Sequence, residues 1–265
     1  MFFRRKIYGP RDLPMPETDE RLYVVGDLHG CDRLLDQLLV EIDADLTANP
    51  SAAPARLVCV GDYVDRGEGT QQVLDRLIEL ATDPALNVTF VRGNHEQLLL
   101  SFLEDPIGSA PWLDHGGMET LASYGVPFPL RRRRERDFSG LGADLRERIG
   151  DHADFLETLP LYFQSGNIFV SHAGLAPDRP LTAQAEDDLL WGDPRFLELG
   201  GPPDMVAVHG HWATERVDFG ANRVGVDTGA YMTGRLSALC IDPKAGYRTL
   251  MVMAGRGMRS GHAVA

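Results

Sequence analysis

The chain has 265 residues, 43% hydrophobic and 25% charged, enough for one large α/β domain or two small ones. Its formal net charge of −13 excludes a general nucleic-acid or membrane-surface binder, because polyanions are repelled on average. Cys31, Cys59 and Cys240 are scattered, without a CxxC pair, and no apolar run is long enough to span a membrane, so a cytoplasmic protein is expected.

Residues 1–18 are proline-rich and aperiodic, which predicts an N-terminal arm ahead of a domain covering 19–253. The apolar run 22–25 ends in Gly-Asp-Leu-His-Gly (26–30). Leu34, Leu35, Leu38, Leu39 and Ile42 then recur at helical spacing, with Asp32 as the expected cap. The run 57–60 ends in Gly-Asp-Tyr-Val-Asp-Arg-Gly (61–67), and a helix is predicted over 71–81. The run 88–91 ends in Arg-Gly-Asn-His-Glu (92–96), with a helix over 96–103. Three strand–loop–helix units in succession predict parallel strands joined by right-handed crossovers.

The pattern changes at Asp105. Residues 105–150 lack strand periodicity and read as helix and loop, a cap inserted over the site. A helix is expected over 154–159, after which Pro160 opens a strand-rich half. A hairpin pairs 161–164 with 167–170, and strands follow at 205–209, 223–227, 236–242 and 247–253. Two more apolar runs end in polar loops here: 168–170 into Ser-His-Ala-Gly (171–174) and 206–208 into His-Gly-His (209–211). From 254 onward the chain is rich in Gly, Arg and Ser, predicting a frayed tail.

Open α/β sheets bind ligands at the carboxyl ends of their strands, so these polar loops converge donors on one place. Asp27 and His29, two apart in an extended segment, would point the same way and share an ion. Asp62 has two oxygens with which to bridge two ions, and Asn94, His172 and His211 add a carbonyl and two imidazoles. A mixed N/O set without thiolate suits two divalent ions, Mn²⁺ first and Fe or Zn²⁺ next. Two such ions about 3.5–4 Å apart can share a hydroxide and polarise a phosphoryl group. Arg66 offers a planar fork of donors for phosphate oxygens. His95 can protonate a leaving alkoxide, with Asp65 orienting it.

These motifs, in this order, resemble the phosphoprotein phosphatase family of calcineurin-like metallophosphoesterases, in its bacterial and phage serine/threonine phosphatase branch. The stretch Val226-Asp227-Thr228-Gly229-Ala230 is similar to that branch's late strand-turn. The resemblance implies an α/β fold, a β-sandwich of two mixed sheets flanked by helices, with a helical and loop cap insertion. It implies Asp27 and His29 on a first metal, Asp62 bridging, and Asn94, His172 and His211 on a second. His95 with Asp65 would form the acid dyad, and Arg66 the phosphate clamp, while a metal-bridging hydroxide attacks phosphate in line. The family's second phosphate-binding arginine is assigned to Arg195, after Leu-Trp-Gly-Asp-Pro (190–194).

The expected function is therefore a dinuclear-metal phosphoprotein phosphatase acting on phosphoserine or phosphothreonine. The alternative is a symmetrical diadenosine tetraphosphate hydrolase, which Gly210-His211-Trp212-Ala213 resembles; Asp65 and Glu96 fit the protein-phosphatase motifs. A catalytically silent metal-binding interaction module would have lost a ligand, His95 or Arg66, and none is missing. His209 is read as lying behind the site, Glu96 as serving an early helical turn, and His115 as a loop residue or one reaching the cleft. Arg131, Arg132, Arg133, Arg134 and Arg136 form either a solvated helix face or a basic rim that attracts phosphorylated substrates.

Overall fold

Alternation along the first strand sets the architecture. In β1 (Arg21–Val25), Leu22 and Val24 belong to one core while Tyr23 and Val25 belong to another, and all four are buried. A strand buried on both faces lies in a middle layer. The computed structural model describes residues 8–128 and 135–255, with side chains from 138 onward in the second segment. The first seven residues of the arm, the arginines at 131–134, the side chain of Arg136 and the tail from 256 lie outside the described residues.

After β1 come α1 (Asp32–Ala48), β2 (Ala55–Cys59), α2 (Thr70–Thr82), β3 (Val88–Phe90) and α3 (Asn94–Glu104). A 3-10 turn (Ala110–His115) leads to α4 (Gly117–Ser123), α5 (Glu135–Ile149) and α6 (Asp151–Glu157). The second half runs β4 (Tyr162–Ser165), β5 (Ile168–Ser171), α7 (Glu186–Leu190), α8 (Arg195–Leu199), β6 (Val206–His209), β7 (Asp218–Gly220), β8 (Arg223–Gly225), α9 (Ala230–Thr233), β9 (Arg235–Asp242) and β10 (Gly246–Met253).

Two mixed sheets result, ordered β10-β9-β1-β2-β3 and β4-β5-β6-β8-β7. Parallel strands run from the middle to one edge of the first, with β1 beside β2 and β2 beside β3, and occupy the middle of the second, with β5 beside β6 and β6 beside β8. Leu22, Val24, Val58 and Val60 of the first sheet pack against Val170, Val206, Val208 and Val224 of the second. On the first sheet's outer face, Tyr23, Val25 and Cys59 meet Leu35, Leu38, Leu74 and Leu77 of α1 and α2. Residues 105–159 join that same cluster through Trp112, Leu121, Leu145 and Leu156.

Several expectations change in detail. Cys31, not Asp32, occupies the cap position of α1 and makes no side-chain cap bond; Asp32 is the first helical residue, where its charge suits the helix dipole. β7 is too short for alternation to reveal it, and the strand expected over 223–227 ends at Gly225. Among the described residues no helix is long and apolar enough to cross a membrane.

Candidate active site

The loops that leave β1, β2, β3, β5 and β6 bring polar side chains from both sheets into contact. Their backbone is unusual. His29, Asp62, Asp65, Arg66 and His211 all have left-handed φ, at 41°, 54°, 68°, 66° and 63°. Non-glycine residues adopt this region only where the surroundings over-determine it. At His29 this corrects the extended geometry expected for residues 27–29. The Leu28 and His29 amides both donate to the Asp62 carbonyl, at 3.0 and 2.8 Å, and so curl the first loop onto the second.

Glu96 fixes the second loop. Its carboxylate accepts from the amides of Asp62 (2.8 Å), Tyr63 (2.7 Å), Val64 (3.2 Å) and Gly93 (2.8 Å). It thus completes the early turn of α3, as expected, and ties the second motif to the third. Burial, together with the neighbouring Asp62 charge, pushes its carboxyl up to about 7. Two glycines permit the close approach of loops. A Cβ on Gly67 would lie 2.0 Å from the His29 carbonyl oxygen, and one on Gly210 would lie 2.0 Å from Asp27 Oδ1.

Asp62 is at the centre. Its Oδ2 is 3.3 Å from His29 Nε2 and its Oδ1 is 3.3 Å from His172 Nε2. Asn94 Oδ1 lies 2.8 Å from His172 Nε2 and 3.2 Å from His211 Nδ1. Among the described residues, two overlapping groups of possible metal donors follow, His29–Asp62–His95 and Asp62–His172–His211, sharing Asp62. Asp27 belongs to neither group; its carboxylate lies beside them on the first loop, accepting from the His211 amide at 3.1 Å. Burial pushes Asp27 well above the ordinary carboxylate range, and the Asp227 and Asp62 charges push it further.

The imidazoles have free lone pairs for a cation. Burial lowers His29 to about 3 and His211 to about 4, and lowers His172 as well. Their other nitrogens are oriented by the backbone: His29 Nδ1 is 2.9 Å from the Val64 carbonyl, and His172 Nδ1 is 3.0 Å from the Val60 carbonyl. Burial works to raise Asp62, but His172, His95 and His29 outweigh it and hold the carboxyl below its ordinary range. Neutral imidazoles, an ionised shared carboxylate and an amide carbonyl suit divalent cations of intermediate hardness, and no thiolate competes. The side chains present fit a dinuclear centre.

His95 differs from the other imidazoles because both of its nitrogens meet charged side chains. Nδ1 lies 2.7 Å from Asp65 Oδ2, and Nε2 lies 2.9 Å from Arg66 Nη2. Its Nε2 is 4.0 Å from Asp62, farther than His29 or His172. Asp65 is wholly buried and anchored by Trp112 Nε1 (2.8 Å) and Thr120 Oγ1 (2.7 Å). Burial works to lower His95, but Asp62 and Asp65 outweigh it and raise its pKa. Arg66 is exposed, with its guanidinium carbon 5.0 Å from the Tyr231 ring centroid and Nη1 donating to the Tyr231 hydroxyl at 3.2 Å.

A match to the calcineurin-like phosphoesterase family model covers residues 20–236. The chain is a calcineurin-like phosphoesterase. Among curated relatives, the phosphoesterase is 26% identical over 239 residues to asymmetrical bis(5'-nucleosyl)-tetraphosphatase PrpE of Anoxybacillus flavithermus, covering 82% of this chain and 88% of the relative. It is 28% identical over 232 residues to serine/threonine-protein phosphatase 2 of Escherichia coli, covering 82% and 90%. A protein serine/threonine phosphatase structure from Saccharomyces cerevisiae superposes with a TM-score of 0.54 at 17% identity, over 91% of this chain and 82% of that one, a likeness of fold alone.

Other residues of the phosphoesterase fall outside the cluster. Arg195 is held by Asp193 and Asp178, with its side chain 57% exposed. His209 is buried behind the site, as expected, 2.9 Å from the Gly210 carbonyl and edge-on to Phe196. Sequence reasoning passed over Trp112, Thr120, Tyr231 and Asp227 as functional positions. Asp227 is 5% exposed, and burial with the nearby Asp62 charge pushes its carboxyl up to about 6. The late turn had singled out its position, but only the fold aims it at Asp27.

Proposed function

We propose that this phosphoesterase is a dinuclear-metal serine/threonine protein phosphatase. Asp27, His29 and Asp62 would hold one divalent cation and Asp62, Asn94, His172 and His211 the other, Mn²⁺ being the best fit to the donors. Cations held there supply Lewis acidity and make water acidic enough to ionise near neutral pH. Arg66 binds two phosphate oxygens in its fork, and Arg195 would join it only after release from Asp193 and Asp178. Water oxygen bonds to phosphorus as the phosphorus–serine oxygen bond breaks. As Arg66 turns from His95 to the phosphate, Nε2 is free to take up a proton, Asp65 stabilises the imidazolium, and that proton passes to the departing oxygen.

The observation that carries this reading is the Asp65–His95 pair at 2.7 Å. A serine alkoxide is a poor leaving group and needs a dedicated acid, whereas the phosphate released from a phosphoanhydride needs little help. Cys31, Cys59 and Cys240 are free thiols, which supports a cytoplasmic setting.

The second reading, a dinucleoside tetraphosphatase, is favoured by the resemblance to PrpE, whose name specifies asymmetrical cleavage. The test compares kcat/KM of Mn²⁺-loaded enzyme on phosphoserine and phosphothreonine peptides and on diadenosine tetraphosphate. Peptide preference is expected. Preference for the dinucleotide would overturn the phosphatase reading, with ADP alone marking symmetrical cleavage and ATP with AMP asymmetrical cleavage.

A further inference from the structure

An open groove of ≈ 440 Å³ adjoins the phosphate clamp, lined by Arg66, Leu113, His115, Met118, Glu119 and Tyr231. We propose that this groove receives a lysine or arginine flanking the phosphorylated residue of a protein substrate, with Glu119 as the specificity-determining carboxylate. The inference rests on the protein-phosphatase reading.

The groove is built into the catalytic apparatus. The Arg66 amide donates to the Gly116 carbonyl at 3.2 Å, and a Cβ on Gly116, whose φ is +108°, would lie 2.5 Å from that same nitrogen. Thr120, the residue after Glu119 on α4, donates to Asp65 Oδ1 at 2.7 Å. One short helix therefore carries both an anchor of the acid dyad and the groove's carboxylate. Tyr231 also lines the groove, its hydroxyl accepting from Arg66 Nη1 at 3.2 Å.

The dimensions and chemistry select the occupant. An extended peptide advances about 3.3–3.6 Å per residue, so with phosphate on Arg66, which itself lines the groove, a flanking residue is within reach of it. The aliphatic stem of a lysine or arginine can lie on Leu113 and Met118 while its charged head meets Glu119. Asp114 adds a second acidic side chain to the wall, on a protein already at −13. Beyond the Arg66 clamp, a polyphosphate chain entering the same groove would meet the carboxylates of Asp114 and Glu119.

The test uses full-length, Mn²⁺-loaded enzyme and two phosphoserine peptides identical except for arginines or glutamates at the flanking positions. The readout is the ratio of their kcat/KM values, which is independent of the fraction of active enzyme. A ratio of roughly three- to tenfold in favour of arginine is expected, falling toward one in Glu119→Gln and reversing in Glu119→Lys. Equal kcat/KM for the two peptides, or a preference unchanged in both variants, would overturn the groove assignment while leaving a protein phosphatase. Failure to hydrolyse either peptide alongside rapid turnover of diadenosine tetraphosphate would overturn the underlying reading and the groove assignment with it.

Discussion

The first sheet delivers Asp27, His29, Asp62, Asp65, Arg66, Asn94 and His95 from the ends of three successive parallel strands, whereas the second delivers His172 and His211 from two. Four of the five left-handed residues at the site belong to the first group, and Glu96 clamps the loop that carries three of these. The second group consists of imidazoles whose contacts run to Asp62, Asn94 and the backbone carbonyl of Val60. Acid, clamp and shared carboxylate thus come from one sheet, while the other completes the donor set. If that division is real, substitutions on the two sides should fail differently.

The largest effect is expected at the shared residue. Asp62→Asn should lower kcat/KM on the order of 10³–10⁴-fold and reduce the bound metal measured by elemental analysis, because both groups lose their common donor. His95→Asn should lower kcat roughly 10²–10⁴-fold on phosphoserine peptides with metal content retained. The loss should be far smaller on 4-nitrophenyl phosphate, whose leaving group needs no acid; equal losses on both substrates would remove His95 from that role.

On the second sheet, His172→Ala should weaken Mn²⁺ binding by at least the roughly 10–100-fold that outer partners of metal ligands cost, with much of the activity recovered at high Mn²⁺. A loss that excess metal cannot reverse would erase the contrast between the sheets. Asp65→Asn should give a drop of about tenfold or more and a changed pH profile. Asp65 helps to raise the His95 pKa, and the protonated form is the acid, so activity falls as pH rises through that value. Without the Asp65 charge, the alkaline limb should move to lower pH.

The smallest effect lies away from the site, where β1 meets β9. Asp242 is 3% exposed and accepts from Arg21 Nε at 2.8 Å and from the amides of Lys244 and Ala245 at 2.9 Å each. Burial opposes ionisation there, but those amides and Arg21 outweigh it and lower the carboxyl to about 2. A depressed carboxyl pKa stabilises the fold above its unfolded value near ~3.9, and this is lost as pH falls from about 4 to 2. Asp242→Asn should therefore cost roughly 1–2 kcal/mol at pH 7 in denaturant titrations, with the difference from the unsubstituted protein shrinking over that window. Catalysis should be unaffected.

The strand–loop–helix grammar of the first half was readable because each apolar run ends at or one residue before a glycine and each helix carries a 3.6-residue stripe, as Leu34, Leu35, Leu38 and Ile42 show in α1. β7 escaped because three residues cannot display a period, and Asp32 was misplaced by one position because Cys31 occupies the cap without a side-chain bond. Arg195 illustrates the limit on the functional side. A suitable residue type in a suggestive stretch carries no information about its partners, and these prove to be Asp193 and Asp178.

By itself the sequence determined which donors exist and in what order, because strand, turn and helix are local and the turns place polar residues at fixed offsets from apolar runs. Tertiary structure alone decided which donors meet. The contact of Asp62 with His172, the burial of Asp65 against Trp112 and Thr120, and the lining of one groove by Tyr231 and Glu119 all join residues 47 or more positions apart. Such contacts depend on sheet order and loop closure, which no local period encodes. The left-handed backbone at His29, Asp62, Asp65, Arg66 and His211 has the same origin, since only surrounding packing and hydrogen bonds hold these residues in a region they otherwise avoid.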